Sequence, residues 1–178
     1  MAMEARDFQS LLAQFLKIKK YVMTTNEKLI TVLNDLVQIN NDRTRGYERA
    51  AEETKMSDRD LQALFLKYAD DSRKYASKLT DHIQELGGEA RKDTTNMGKI
   101  YRVWMDLKAT FTGQSAHAIL ESCEFGEDAA LRAYRDVLAS DAEMTAETRQ
   151  LIMTQQAELK ISHDTVKRHR DVLHAVDS

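Results

Sequence analysis

The sequence predicts an all-α protein built as an up-down bundle of four long helices. The 178-residue chain contains no proline, and its apolar residues recur every three or four positions over long stretches. Because proline interrupts helix interiors and marks loops, its absence is typical of long helices joined by few turns. The length suits one domain with a substantial hydrophobic core.

An N-terminal helix is predicted over residues 5–22. A break follows it, because Thr24 and Glu27 have the spacing of a capping box that begins a new helix. We therefore divide the chain into an N-terminal extension or accessory helix, residues 1–22, and a bundle domain, residues 23–178. One face of the first segment carries apolar residues at helical spacing: Phe8, Leu11, Leu12, Phe15, Ile18 and Val22.

Four helices are predicted for the bundle domain. The first covers residues 26–54, and the second covers residues 60–86, where Gly87-Gly88 ends it. The third begins near Ser115, and the fourth follows Thr145. Their inward stripes include Leu29, Leu33, Leu36, Asn40 and Tyr47; Leu64, Tyr68, Tyr75, Leu79 and Ile83; Ile119, Leu120, Cys123, Glu127, Leu131 and Tyr134; and Ile152, Gln156, Leu159, His163 and Val166.

The lengths of the connections predict the topology. The first and second helices, like the third and fourth, are separated by a few residues, so each pair forms an antiparallel hairpin. The connection of residues 88–114 is long enough to return along the whole bundle, and residues 100–111 predict a short crossover helix. Two hairpins joined by one long crossover form the ferritin-like arrangement. Identities at an offset of 87, such as Tyr47 with Tyr134, suggest a duplicated hairpin.

Composition excludes several classes of protein. A net charge of -3 without a dense basic cluster argues against a nucleic-acid partner. No apolar run approaches the roughly 20 residues that span a bilayer, and the N-terminus lacks the order of charges of a secretory signal. The single Cys123 cannot form an internal disulfide, which points to a reducing compartment. We expect a cytoplasmic protein without a membrane partner, with Cys123 as a small core residue.

Polar residues on the inward stripes raise the question of a metal site. In ferritin-like di-iron proteins two helices each supply a Glu, and the other two each supply a Glu-x-x-His. Glu127 lies seven residues before Tyr134, as the single Glu often does in those proteins, and His163 lies on the stripe of the fourth helix. However, the residue three positions before His163 is Lys160, and Asn40 stands where the first helix would need a carboxylate.

Two of six ligands are too few for two irons. They are compatible with a mononuclear Fe, Zn or Mn site of Glu127 and His163, completed by Asp71 or Glu124. The interpretation that we favour is simpler: His163 donates a hydrogen bond to Glu127 in the core, because buried polar groups are usually paired. No catalytic residue is predicted, and the sequence favours a protein without enzymatic activity.

Several segments together resemble one family, the bacterial four-helix-bundle family of unknown function within the ferritin-like superfamily. The resemblance covers residues 26–173. It is carried by Leu33-Asn34-Asp35-Leu36, Asp42 with Gly46-Tyr47, Leu86-Gly87-Gly88, the crossover residues 101–113, Cys123-Glu124 with Gly126-Glu127-Asp128 and Tyr134, and Gln155-Gln156 with His163-Asp164. It implies a ferritin-like fold and a bacterial cytoplasmic source, and it carries over no ligand set.

Three functional hypotheses remain. The leading one is a ferritin-like bundle that is non-enzymatic or retains a degenerate single-metal site, that self-associates and that serves in stress physiology; this last part rests on family analogy. The second is an iron-dependent oxidase or peroxide-consuming enzyme that uses Glu127 and His163. The third is an interaction module that uses the helix of residues 5–22.

Overall fold

The computed structural model describes residues 5–54, 58–91 and 115–176 and confirms the all-α, ferritin-like class. No strand occurs in these ranges. The crossover helix predicted over residues 100–111 lies outside them. The described helices are α1, Ala5–Thr54; α2, Arg59–Glu85; α3, Ala116–Leu138; and α4, Ala146–Val176.

Helix α1 is continuous, and the break predicted near Thr24 is therefore wrong. The reason is cooperative: a helix that is already formed adds one hydrogen bond per residue, whereas ending and restarting it would require a new nucleus. Neither proline nor glycine occurs between Ala5 and Arg45 to interrupt it. The division at residue 22 stays a prediction at the level of domains.

Contacts at one end of the bundle establish its topology. The Lys28 ammonium lies 2.6 Å from the Asp141 carboxylate in the loop between α3 and α4, and the Asn26 amide donates to the Leu86 carbonyl at 3.4 Å. The ends of α2 and α3 therefore lie together, and these two helices are parallel. Helix α1 packs against α2 and α3, and α3 packs against α4. The predicted pair of hairpins with a long return connection is confirmed.

The N-terminal part of α1 extends beyond this end of the bundle. Its 50 residues are about 75 Å long and the 27 residues of α2 are about 40 Å long, at about 1.5 Å per residue. Among the side-chain contacts described, that of Asn26 with Leu86 lies nearest to the N-terminus of α1. Upstream of it the side chains described, residues 14–17, are exposed, including Phe15 at 63% and Leu16 at 54%.

Two hydrophobic clusters fill the interior. The cluster nearer the Asp141 loop includes Leu36, Leu79 and Leu159, and the cluster at the other end includes Phe65, Leu120 and Val166. Among the described helices, none is long and apolar enough to cross a membrane.

Helix α2 shows most clearly how local sequence sets the ends of an element. The Asp58 carboxylate accepts a hydrogen bond from the Leu61 backbone N–H at 2.9 Å and caps its start. At its end, the N–H groups of Gly87 and Gly88 donate to the carbonyls of Gln84 and Ile83. Gly87 has a φ of 81°, a conformation that glycine adopts without steric cost. The predicted stop at Gly87-Gly88 is confirmed.

Candidate functional site

A polar layer separates the two hydrophobic clusters, and each helix contributes one residue to it. Arg43 comes from α1, Ser72 from α2, Glu127 from α3 and Ser162 from α4. All four side chains are buried, with Arg43 1% and Glu127 0% exposed. Because a buried charge is very unfavourable unless it is paired and hydrogen-bonded, the contacts within this layer decide whether the bundle is stable.

The Arg43 guanidinium bonds to all three other helices. Its Nη1 donates to Ser72 Oγ at 2.9 Å, and its Nη2 donates to Glu127 Oε1 at 2.6 Å and to Ser162 Oγ at 3.2 Å. Burial by itself would lower the pKa of Arg43, but the charge of Glu127 raises it above the usual range. The guanidinium therefore stays positively charged at the centre of the bundle.

One oxygen of Glu127 collects most of the donors. Glu127 Oε1 accepts hydrogen bonds from Arg43, from the Tyr47 hydroxyl and from Ser162 Oγ at 3.0 Å. Burial raises the pKa of Tyr47 well above its usual value, and the charge of Glu127 raises it further, so the phenol remains a donor. Glu127 Oε2 has no hydrogen-bond partner among the described residues.

A second hydrogen-bonded group repeats this arrangement with neutral residues. The Tyr134 hydroxyl accepts from Asn40 Nδ2 at 2.7 Å and donates to Gln155 Oε1 at 2.7 Å. Asn40 and Glu127 are equivalent positions at the offset of 87, as are Tyr47 and Tyr134. Each tyrosine thus bonds to the residue that lies seven positions before the other tyrosine, which supports the suggested duplication. Of the two equivalent residues, only Glu127 on α3 is a carboxylate, and its charge is neutralised by Arg43.

The predicted hydrogen bond between His163 and Glu127 is wrong. His163 Nε2 lies 3.2 Å from Asp128 Oδ1, and Nδ1 lies 2.9 Å from Asp164 Oδ1, so the ring bonds to carboxylates at the edge of the bundle. Glu127 instead faces Arg43 and Tyr47. A guanidinium supplies the charge that the buried carboxylate requires, and an imidazole would supply it only when protonated.

The other two predicted metal ligands are also bonded elsewhere. Asp71 lies 2.6 Å from the Lys67 ammonium, and Glu124 is paired with Arg170. In the described parts of the chain, no three His, Cys, Asp or Glu side chains are grouped so that they could hold a metal ion. Each of the four predicted ligands thus bonds to another side chain of the protein, and metal binding by any of them stays a prediction.

Arg43, Ser72 and Ser162 were not identified from the sequence. Arg43 lies three residues after Asn40 and four before Tyr47, so the helical period does place it on the inward stripe of α1. That spacing was the available signal, although an arginine is almost never fully buried without a partner. The two serines carry no comparable signal, because serine is common on both faces of helices.

Cys123 lies on the inner face of α3, as predicted, and is fully buried. Burial raises its pKa, and the charge of Glu127 raises it further, so the thiolate form is disfavoured. A nucleophilic cysteine needs the opposite conditions, namely exposure and a lowered pKa. The polar layer as a whole offers hydrogen bonds and one ion pair between helices, which is an arrangement that fixes how the helices pack.

Comparison with solved structures confirms the fold. A bacterioferritin from Desulfovibrio desulfuricans, solved with its diiron site in different catalytic states, is 21% identical in sequence. The two structures superpose with a TM-score of 0.72 over 86% of this chain and 84% of that one. At this identity the likeness concerns the fold alone.

Comparison at the level of sequence gives a family without an assigned activity. No curated protein sequence matches the chain. Residues 28–140, more than half of the chain, match the family described as Domain of unknown function (DUF2383). The segment that matches contains α2, α3 and residues 28–54 of α1, and so includes Arg43, Ser72 and Glu127. The chain therefore belongs to the DUF2383 family.

Proposed function

We propose that this protein is a non-enzymatic ferritin-like bundle that acts through binding and assembly and does not use a metal-dependent oxidation. The observation that carries the proposal is the buried ion pair between Arg43 and Glu127. In this bundle the positive charge opposite the central carboxylate belongs to a side chain of the protein. The tyrosine and serine hydroxyls that surround Glu127 are donors, which further reduces its capacity to bind a cation.

The donor atoms at the centre do not fit a diiron group. Such a group in ferritin-like proteins takes four carboxylates and two imidazoles. Here Asn40 occupies the position equivalent to Glu127, and Glu127 Oε1 already accepts three hydrogen bonds. Two acceptor oxygens, Glu127 Oε2 and Asn40 Oδ1, have no hydrogen-bond partner among the described residues. A cation bound at Glu127 Oε2 would lie next to a buried guanidinium.

Anaerobic titration with Fe(II), followed by exposure to oxygen, tests this proposal. We expect no saturable binding and no oxidation faster than that of Fe(II) in buffer, with the same result for Glu127→Gln. A bacterioferritin measured in parallel serves as the positive control for the assay. Saturable binding by the native protein that Glu127→Gln abolishes would contradict the proposal and support the iron-dependent oxidase.

A mononuclear Fe, Zn or Mn site that includes His163 is the competing proposal. It would use His163 with carboxylates at the edge of the bundle, where Asp128 and Asp164 already contact the ring. Elemental analysis of protein purified without chelators distinguishes the two. Metal that copurifies with the native protein but not with His163→Ala would favour the site, whereas equal traces in both would remove it.

We further propose that the extension of α1 joins two copies of the chain. Phe15 is 63% exposed on a helix that extends about 30 Å beyond the bundle, and the sequence places it on the apolar face of residues 5–22. Residues 4–7 contain Glu, Arg and Asp, a net charge of -1, and residues 17–20 contain three lysines, a net charge of +3. An antiparallel, two-fold pairing brings these unlike ends together.

Light scattering of the native protein and of two matched variants tests the self-association. We expect the native mass to exceed that of one chain and Phe15→Asp to give single chains, because a charge on the apolar face disfavours its burial. Ser10→Asp adds the same charge at a position that the helical period puts on the opposite face, and should behave like the native protein. A native protein that is monomeric at every concentration measured would refute the pairing.

A further inference from the structure

Three buried polar atoms near the centre of the bundle have no hydrogen-bond partner within the described ranges. They are Asn40 Oδ1, Arg43 Nε and Glu127 Oε2. All three side chains are buried, and those of Asn40 and Glu127 are 0% exposed. Leaving a buried donor or acceptor unpaired is costly, and proteins commonly satisfy such atoms with an ordered water molecule. These three atoms therefore require a common explanation.

The three atoms belong to neighbouring side chains. Arg43 Nη2 lies 2.6 Å from Glu127 Oε1, so Nε and Oε2 are parts of two groups in contact. Asn40 precedes Arg43 by about one turn of α1, and its amide donates to the Tyr134 hydroxyl at 2.7 Å. Burial raises the pKa of Tyr134, and the charges of Arg43 and Glu127 act on it in opposite directions, so both charges lie near that hydroxyl.

The chemistry of the three atoms selects the kind of molecule that could satisfy them. Asn40 Oδ1 and Glu127 Oε2 are acceptors that need a donor, whereas Arg43 Nε carries a hydrogen that needs an acceptor. A cation would satisfy the oxygens and be repelled by the guanidinium, and an anion would be repelled by Glu127. A water molecule donates two hydrogen bonds and accepts others, and buried waters typically make about three in all.

A cleft between α2 and α4 gives water a route to this point. Its volume is about 520 Å³, which is many times the space that one water molecule occupies. The buried residues Arg43 and Ser162 line it together with Ile161, which is 67% exposed at the surface. Water in the polar layer can therefore exchange with the solvent without the bundle unfolding.

We infer that a water molecule is bound at the centre of the bundle by Asn40, Arg43 and Glu127. It donates to Asn40 Oδ1 and to Glu127 Oε2, and it accepts from Arg43 Nε. Asn40 and Glu127 are the equivalent positions of the suggested duplication, so the water joins the two hairpins where their polar residues differ. The inference uses no residue of the α1 extension, and self-association could fail without affecting it.

A direct fork between Arg43 and Glu127 is the competing arrangement. In it, Nε and Nη2 would donate in parallel to the two carboxylate oxygens, as arginine often does with carboxylates. The fork would satisfy Arg43 Nε and Glu127 Oε2, but it would leave Asn40 Oδ1 without a donor. The bound water accounts for all three atoms.

Nuclear magnetic resonance of the native, metal-free protein distinguishes the two arrangements. The Arg43 Nε–H resonance, identified by its loss in Arg43→Lys, should show a rotating-frame Overhauser effect to water. Its sign should be that of dipolar contact and opposite to that of hydrogen exchange. An Nε–H that shows dipolar contacts to hydrogens of the protein and none to water would overturn the inference in favour of the fork.

Relaxation dispersion of water ¹⁷O counts the long-lived waters in the native protein and in two matched variants. Asn40→Leu should lose the contribution of about one water molecule per chain, because it removes one of the three partners. Asn41→Leu makes the same chemical change at an exposed neighbouring position and should keep the native dispersion. Equal dispersion in all three proteins would overturn the inference. If Asn40→Leu does not fold, the Overhauser measurement on the native protein decides.

Discussion

Arg43 is the residue on which the interior of the bundle depends most. It is buried, and it bonds to Ser72, Glu127 and Ser162 on three different helices. Replacing Arg43 by Met leaves the Glu127 carboxylate buried without its counter-charge. We expect a loss of about 3–5 kcal/mol in the free energy of unfolding, measured by urea denaturation. Arg43→Lys, which keeps the charge but loses the fork of donors, should be less destabilising.

Two controls distinguish the ion pair from the mere removal of an arginine. Arg73 pairs with Glu48 on the surface, and Arg73→Met should cost about 1 kcal/mol or less, because exposed pairs contribute little. The double variant Arg43→Met with Glu127→Leu removes both charges, and should be more stable than Arg43→Met alone. An equal cost for Arg43→Met and Arg73→Met would contradict the role assigned to Arg43.

At the scale of residues, the sequence predicts which polar side chains lie in the core but does not predict that an arginine pairs with Glu127. Glu127, Asn40 and the two tyrosines stood out because polar groups on an apolar stripe need an explanation. The ligand pattern of ferritin-like proteins predicts a histidine as the partner of Glu127. The actual partner, Arg43, could have been inferred from its spacing alone, but arginine usually lies on the surface.

At the scale of elements, the two glycines at the end of α2 are required for different reasons. Steric contact limits the side chain at Gly88, and backbone conformation limits it at Gly87. A Cβ added at Gly88 would lie 2.7 Å from Ile30 Cδ1 and 2.9 Å from its Cγ1, whereas a Cβ at Gly87 would meet nothing within 4 Å. We expect Gly88→Ala to cost about 1–3 kcal/mol through this overlap. Gly87→Ala should cost about 1 kcal/mol through its positive φ.

A double-mutant cycle with Ile30→Ala checks this prediction. The cost of Gly88→Ala should fall when Ile30 is shortened, because the overlapping atoms are then absent. The cost of Gly87→Ala should stay the same, since no side chain is involved. Additive effects at both glycines, measured from unfolding midpoints in urea, would show that Ile30 does not constrain the loop.

Capping residues correctly predict ends of α2 and α3, whereas the capping pattern near Thr24 predicts a helix start that does not occur. The Asp58 and Ser115 side chains cap the starts of α2 and α3, and Gly87 follows the end of α2 with a positive φ. Thr24 and Glu27 have an equally good capping pattern, yet α1 continues through them. A capping box indicates that a helix could begin at a position, but it does not indicate that the preceding helix ends there. Ending a helix usually requires a proline or glycine, and neither occurs near Thr24.

At the scale of the whole molecule, three buried groups predict a loss of stability at alkaline pH. Burial raises the pKa values of Cys123, Tyr47 and Tyr134 from ordinary values of 9.0 and 10.0. The unfolded chain releases these protons at the ordinary values while the folded chain retains them. Above about pH 9 the unfolded state therefore binds fewer protons, and stability falls as pH rises.

The slope of this loss can be estimated and measured. Each group that is ionised only in the unfolded chain contributes about 1.4 kcal/mol per pH unit. Denaturation by urea at a series of pH values from about 7 to about 11 should show constant stability up to about pH 8 and a progressive loss above about pH 9. Tyr134→Phe removes one of the three groups, so its stability should decline less steeply. A slope identical to that of the native protein would contradict the assignment.

The topology could be predicted almost completely because it follows from lengths. Two short loops require hairpins, and the long connection of residues 88–114 allows α2 and α3 to be parallel, as the contacts of Lys28 and Asn26 confirm. The contents of the polar layer could not be predicted in the same way. They depend on which inward polar residues of the four helices lie at the same level of the bundle. That level depends on how the helices are positioned relative to one another, which the sequence of a single helix does not specify.

The guanidinium at the centre of this bundle is attached to the polypeptide by covalent bonds. It is present as soon as the chain is synthesised, it needs no loading step, and no chelator can remove it. Whereas a carboxylate that faces a bound ion depends on the supply of that ion, the Glu127 carboxylate receives its counter-charge from the same chain whenever that chain folds.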